Sequence, residues 1–303
     1  MHGNQKVILM SDVKTALVVE GGGMRGIFAA GVLDAFLKEH FNPFDLLIGV
    51  SAGAITLASY LSGQYQRYYR IITGPMNMKE FLSFRRFVRG GHLMDLDWLW
   101  KYAAEHEPLD TKAATGNPAH EYLVGVTDAL TGEPVFVHPD KDTLSHYLKA
   151  SSALPVIYRD FVEVQGRRVA DGGVAEPLPI REAYLRGARK IVVIRTRPAN
   201  ASKGCFLDSI LAFFFLRGYP ALRARIHRLN RAYRDAVRFI RYPPPDASIC
   251  EIAPIRPLRS GRLSMGDVSI EADYRMGRKA GEDFLSHWLI HAGETFHKGE
   301  ISP

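Results

Sequence analysis

Gly49-Val50-Ser51-Ala52-Gly53 is a G-x-S-x-G pentapeptide set between a short apolar run, Leu46 to Val50, and a helix-like run, Ala52 to Leu61. In that setting the pattern describes a serine raised on a sharp, strained strand-to-helix turn, its hydroxyl held out for nucleophilic attack. Gly49 and Gly53, two residues away on either side, let neighbouring backbone pass without a clash. The N-terminal end of the following helix puts positive potential behind the hydroxyl. The chemistry would be acyl transfer. The competing reading is that Ser51 merely caps the second helix.

Gly21-Gly22-Gly23-Met24-Arg25-Gly26 lies between a first apolar strand and a first helix. Backbone N–H groups of a glycine-rich turn at a helix start make an anion site. In an acyl-transfer enzyme that site is an oxyanion hole, with Arg25 adding positive charge or locking the loop to the sheet. The same residues match G-x-G-x-x-G, which in a dinucleotide site needs an acidic residue at the end of the second strand. Asp45 precedes that strand, and Gly49-Val50-Ser51 ends it, so the ribose ligand is missing.

A serine nucleophile needs a base, usually histidine. His227, His287 and His291 all lie in helix-like surroundings far along the chain. Asp171-Gly172-Gly173 follows the strand-like Arg168-Val169-Ala170 and offers a carboxylate instead. Its two glycines would let the backbone turn closely beneath a substrate, although D-G-G alone is also an ordinary turn.

The elements that must position these groups are legible. Ala16 to Glu20, Leu46 to Val50 and Lys190 to Arg195 are near-continuous apolar strands, and helices are expected from about Gly26 to His40 and from Ala52 to Leu61. Strands and helices in alternation predict a parallel sheet covered on both faces. Glu121 to Asp128 with Val135 to His138, and Tyr158 to Val164 with Arg167 to Ala170, read as hairpins. Thr73 to Glu107 reads as a mostly helical cap or lid. Pro243-Pro244-Pro245 breaks any helix that reaches it.

The 303 residues are 47 % apolar and 23 % charged, ordinary globular values that exclude long disorder, collagen and coiled coil. Only Cys205 and Cys250 are present, with no C-x-x-C pair, so neither a disulfide scaffold nor a zinc site is suggested. The longest apolar run, Ile210 to Leu216, falls far short of the roughly 20 residues that cross a bilayer. The N-terminus has no secretory pattern, so a cytoplasmic location is expected.

Three motifs in order, Glu20 to Gly26, Gly49 to Gly53 and Asp171 to Gly173, resemble those of the patatin-like phospholipase family. Ala150-Ser151-Ser152-Ala153-Leu154-Pro155 is similar to a further block of it. The resemblance spans about residues 14–200 and implies an α/β fold, a three-layer α/β/α sandwich with a mostly parallel central sheet. It implies a Ser-Asp dyad that needs no histidine, with Ser51 as nucleophile and Asp171 as base. Gly21, Gly22, Gly23 and Arg25 would form the oxyanion loop, and Gly172 and Gly173 would support the base. The activity implied is hydrolysis of a carboxylic ester in a lipid, with no metal and no organic cofactor. Glu20 stands where the family often has aspartate. The rival function is a catalytically idle lipid- or partner-binding protein on the same fold.

A smaller, mostly helical region is expected over 205–303. The net charge of +7 is concentrated in it, since Arg217 to Arg241 holds eight arginines against one acid, Asp235. Leu222, Ile226, Leu229, Tyr233, Ala236 and Ile240 form one helical stripe. Either that stripe docks on the main domain, or the helix is interfacial. In the second case Arg223, Arg231 and Arg238 would meet anionic lipid at the inner membrane surface. Phe206, Leu207, Phe213, Phe214, Phe215 and Leu216 would then insert. No nucleic-acid-reading module accompanies the charge, so no nucleic acid partner is expected.

Overall fold

The computed structural model describes residues 13–201, 216–261 and 267–290. Strand β1 (Thr15–Val19) lies inside a sheet with β2 (Leu46–Val50) on one side and β7 (Lys190–Ile194) on the other, both parallel to it. Beyond β2 come β3 (Glu121–Asp128), β6 (Arg167–Asp171) and β5 (Val162–Val164), and beyond β7 comes β8 (Ser248–Ile252). Pairing is parallel from β8 through to β3 and antiparallel for β6 and β5. Strand β4 (Pro134–Val137) pairs antiparallel with β3.

Alternation along the buried strands produces the three layers, because successive side chains leave a strand on opposite faces. Leu17, Val19 and Leu47 join the core beneath α1 (Gly26–Lys38) and α2 (Ala52–Leu61). Ala16, Val18, Leu46 and Ile48 join a second core beneath α8 (Ile180–Leu185) and α9 (Pro220–Arg241). The family-like α/β/α sandwich with its mostly parallel sheet is therefore what the chain forms.

The expected hairpins are present, the second closing on Gln165 and Gly166, both at positive φ, as a tight two-residue turn requires. Its first strand starts at Val162 rather than Tyr158. The cap between β2 and β3 is built from short helices, α3 (Arg67–Thr73), α4 (Phe84–Val88), α5 (Leu96–His106) and α6 (Thr111–Thr115). Ser83, Asp95 and Asp110 cap the last three through their side chains. Helix α7 (Leu144–Ser151) precedes β5.

The described residues beyond 205 are mostly helical, as expected, but their elements enter the same sandwich. Strand β8 extends the sheet beside β7, α9 covers one face, and α10 (Asp267–Ile290) lies against α1 on the other. The α1–α10 approach is close because glycines meet backbone there. A Cβ on Gly277 would stand 2.1 Å from the Phe28 carbonyl oxygen, and one on Gly31 would stand 2.3 Å from that of Tyr274. Tyr274 also donates to the buried Asp34 carboxylate at 2.8 Å, pinning the two helices. Among the described residues no helix is long and apolar enough to cross a membrane.

Candidate active site

Register alone brings the three motifs to one edge of the sheet. Val19 pairs with Gly49, Val50 with Gly125, and Val126 with Asp171. Ser51 and Asp171 thus stand level, with β3 between them, two strand spacings of about 4.8 Å apart. This edge lies at the carboxyl ends of the parallel strands, where open α/β sheets bind their ligands.

Ser51 holds φ +53° and ψ −129°, a backbone conformation that side-chain-bearing residues rarely adopt and that costs roughly 1–3 kcal/mol. It occupies the N-cap position of α2, yet its side chain makes no capping hydrogen bond. The plain helix-cap reading therefore does not describe it. The strain is held by the glycines the sequence pointed to. A Cβ on Gly49 would lie 2.6 Å from the Ala54 nitrogen, and one on Gly53 would lie 2.4 Å from the Val19 carbonyl oxygen. Only a bare backbone lets α2 start so close to β1 and β2.

Asp171 ends β6 and is 5 % exposed. Its Oδ1 accepts a 2.7 Å hydrogen bond from the Gly173 N–H, and its carbonyl accepts one of 2.8 Å from Thr127 Oγ1. Gly172 is obligatory here, since a Cβ would fall 2.1 Å from the Gly125 carbonyl oxygen. One segment ties the two turns together. Ser151 Oγ accepts from the Ser51 N–H at 2.7 Å and donates to the Gly125 carbonyl at 2.6 Å, while the Ala153 carbonyl accepts from the Asp171 N–H at 2.9 Å. The sequence flagged the 150–155 block only by resemblance, and a hydroxyl holding another residue's backbone leaves no sequence signature.

Gly21, Gly22 and Gly23 run from β1 into a short 3-10 turn that opens α1. Gly23 has φ +58°, and a Cβ on Gly22 would meet Thr196 Oγ1 at 2.7 Å. Arg25 locks the loop on itself, its Nε donating to the Gly22 carbonyl at 3.4 Å. Behind the loop sits a buried charged network that sequence reading missed. Glu20, 1 % exposed, accepts from the Thr196 N–H at 2.8 Å and faces Arg197 at 3.4 Å, an ion pair without hydrogen-bond alignment. Tyr233 of α9 accepts from Arg195 at 2.8 Å, and the Arg197 guanidinium lies 4.4 Å from its ring centroid. Arg195, wholly buried, also pairs with Glu251 of β8.

All three motifs open on one cavity of about 160 Å3. Ser51, Asp171, Gly21 to Gly23, Arg25 and Gly173 line it with a largely apolar set that includes Ile71, Phe81, Leu99, Leu154, Ile157 and Leu229. Apolar cavities of roughly 150 Å3 stay dry and accept a benzene-sized hydrocarbon. Glu20 and Asp171 are the acids on its wall, and no histidine lines it among the described residues. His227 is exposed on α9, His287 is exposed and its Nδ1 lies against the Asp283 carbonyl, and His291 lies outside the described residues. Arg67 joins the wall from α3, donating to the Glu107 carbonyl at 3.0 and 2.8 Å, and burial pushes its guanidinium down to about 10. No group of three or more His, Cys, Asp or Glu among the described residues is placed to hold a metal ion.

Helix α9 adds Ile226, Leu229, Asn230 and Tyr233 to the wall. The stripe read from the sequence is thus docked, with Leu222, Ile226, Tyr233, Ala236 and Ile240 buried. Its basic side faces out. Arg231 and Arg238 are exposed, Arg223 is half-buried, and Arg225 reaches back to Glu133 at 2.6 Å. Phe206, Leu207, Phe213, Phe214 and Phe215, expected as an inserting segment, lie outside the described residues, as does Cys205.

The model of the patatin-like phospholipase family matches residues 17–184, and a model described as a domain of unknown function (DUF6363) matches 219–290. A protein of Escherichia coli K12 named "Uncharacterized protein YjjU" is 36 % identical over 276 residues, covering 90 % of this chain and 77 % of that one. "Lysophospholipase NTE1" of Eremothecium gossypii is 27 % identical over 196 residues, and this chain spans 12 % of its length. Among solved structures, that of VipD from Legionella pneumophila aligns with TM-score 0.51 over 91 % of this chain and 67 % of that one. At 14 % identity, that likeness speaks for the fold alone.

Proposed function

The chain belongs to the patatin-like phospholipase family, and from that membership we propose that it is a serine lipid acyl hydrolase working through a Ser51–Asp171 dyad. One observation carries the reading. A strained, uncapped serine and a buried aspartate open on the same apolar cavity, and no histidine among the described residues lines it.

Ser51 Oγ attacks the ester carbonyl as Asp171 takes its proton. Negative charge forms on the carbonyl oxygen, and N–H groups of the glycine loop receive it; one such donor is worth roughly 2.7–4 kcal/mol of transition-state stabilisation. Collapse expels the alkoxide, which takes from Asp171 the proton that Ser51 gave up and leaves as the alcohol, and acyl-Ser51 remains. Water, giving a proton to Asp171, then attacks the acyl group, and the fatty acid leaves as Ser51 Oγ takes that proton back from Asp171. Glu20, the other acid on the wall, accepts from the Thr196 N–H and faces Arg197. The apolar wall suits the acyl chain, so the substrate class is a lipid ester.

The reading extends to place. The outward arginines of α9, Arg231 and Arg238 among them with Arg223 beside them, form a basic face suited to an anionic membrane on its cytoplasmic side.

A fluorophosphonate probe and a panel of phospholipid, lysophospholipid and neutral esters test the function. Wild type becomes labelled and hydrolyses at least one ester, and Ser51→Ala does neither. A wild-type protein that is never labelled, yet binds lipid, is an idle binding protein on this fold.

A further inference from the structure

The cap carries a surface that the dyad does not explain. Helix α4 presents Phe84 at 72 % and Val88 at 69 % exposure, four residues apart on one face of one turn. Arg85 and Arg89 form a second exposed pair on the adjacent face, and neither makes an ion pair among the described residues. Residues 83–91 contain three arginines and no acid.

Loose packing does not account for this exposure. Arg86 turns inward and staples the loop, donating to the carbonyls of Glu80, Phe81 and His92 at 2.9 Å and of Leu93 at 3.4 Å. Ser83 accepts from the Arg86 N–H, the Ser83 N–H donates to the Leu93 carbonyl, and Leu82 bridges Met94. Arg159 donates to the Phe87 carbonyl at 3.0 Å, its guanidinium 4.6 Å from the Phe87 ring centroid. Phe84 and Val88 are thus held out in water by a loop that is itself braced.

The brace stands on the substrate cavity. Phe81 and Met94, at the two feet of the loop, line the cavity, as does Ile157, whose carbonyl accepts from the Leu93 and Met94 N–H groups. An apolar pair beside an unneutralised basic pair has the chemistry of a bilayer interface, where rings enter the acyl boundary and guanidinium groups meet lipid phosphates.

We propose that residues 83–91 are a membrane-docking platform that seats the mouth of the cavity on an anionic lipid surface. It supplies the apolar insertion that α9 does not, since the apolar stripe of α9 is buried in the body. The inference rests on the lipid hydrolase reading for its purpose, though not for its measurement.

The test is co-sedimentation of the full chain with phosphatidylcholine vesicles, with and without phosphatidylglycerol. Wild type should bind the anionic vesicles, and Phe84→Ser with Val88→Ser should weaken binding by at least about tenfold. Arg85→Gln with Arg89→Gln should weaken it by roughly tenfold or more at low salt and by less at high salt. Melting temperature and turnover of a short soluble ester should not move in either variant. Undiminished binding by both variants overturns the proposal, as does loss of binding only on substituting Arg223, Arg231 and Arg238. A dimer that Phe84→Ser dissolves, with no vesicle binding, would also overturn it and make this face a contact between copies. Vesicle binding by a protein that cleaves no ester would leave the platform standing and sink the hydrolase reading.

Discussion

Two kinds of element wall the cavity: three glycine-bearing turns at the ends of β1, β2 and β6, and α9, from the far part of the chain. Each turn is dictated by its own few residues. Gly49, Gly53 and Gly172 are needed because backbone of α2, β1 and β3, respectively, passes where a Cβ would be. Helix α9 has no such local necessity. It is held by a buried stripe, each large side chain worth roughly 1.5–3 kcal/mol, and by Tyr233 reaching Arg195. The turns carry the proposed nucleophile and base, whereas α9 adds shape to the cavity. Chemistry and selectivity can therefore be altered separately, and four experiments press on that division.

The largest effect belongs to the turns. Ser51→Ala and Asp171→Asn should each lower kcat by at least about a thousandfold, and the double variant should be no worse, because the proposed dyad would act as one unit. Steady-state kinetics on a soluble ester reads this. Most of the activity surviving in Asp171→Asn would remove the dyad.

Next comes the glycine loop. A side chain at Gly22 meets Thr196, so Gly22→Val should displace the donors and cut kcat by roughly a hundredfold with little change in KM. A rise in KM at unchanged kcat would make the loop a binding element instead.

A change on α9 should look different. Leu229→Trp narrows the cavity at its α9 wall and should reduce kcat/KM for long-chain esters by about tenfold while sparing short-chain ones. Equal losses on both would mean that α9 supports the chemistry and not only the fit.

The smallest effect sits on the seam. Glu176, on the turn after Asp171, is pushed up to about 7 by burial and by Glu182, against the pull of Arg225 and Arg181. The folded protein then holds a proton that the unfolded chain releases near 4.5, so this contribution to stability is full below 4.5 and fades as pH rises through 7. Glu176→Gln should flatten that part of the Tm-against-pH curve by a few degrees. An unchanged slope would place Glu176 in water rather than in the seam.

Much of the sheet was legible because buried strands and their turns write themselves into adjacent residues. The runs 16–20, 46–50 and 190–195 became β1, β2 and β7 almost residue for residue. Strand β8 was not legible. Ser248 to Ile252 is short, interrupted by Glu251 and preceded by three prolines, and only its pairing with β7 makes it a strand. The stripe on α9 was visible, but not which surface it would meet, since a 3.6-residue period states that a face is buried and never against what.

By itself the sequence determined where the glycines of the turns stand, Gly49 and Gly53 around Ser51 and Gly172 after Asp171, because a missing Cβ is written at its own position. It also determined that the far helix would have one apolar and one basic side. Only the tertiary structure decided that Ser51 and Asp171 stand level across β3, that Ser151 and Ala153 hold both backbones, and that Tyr233 closes the network behind Glu20. Those are contacts between residues remote in the chain, set by strand register and helix docking, and no local pattern encodes a distance between distant segments.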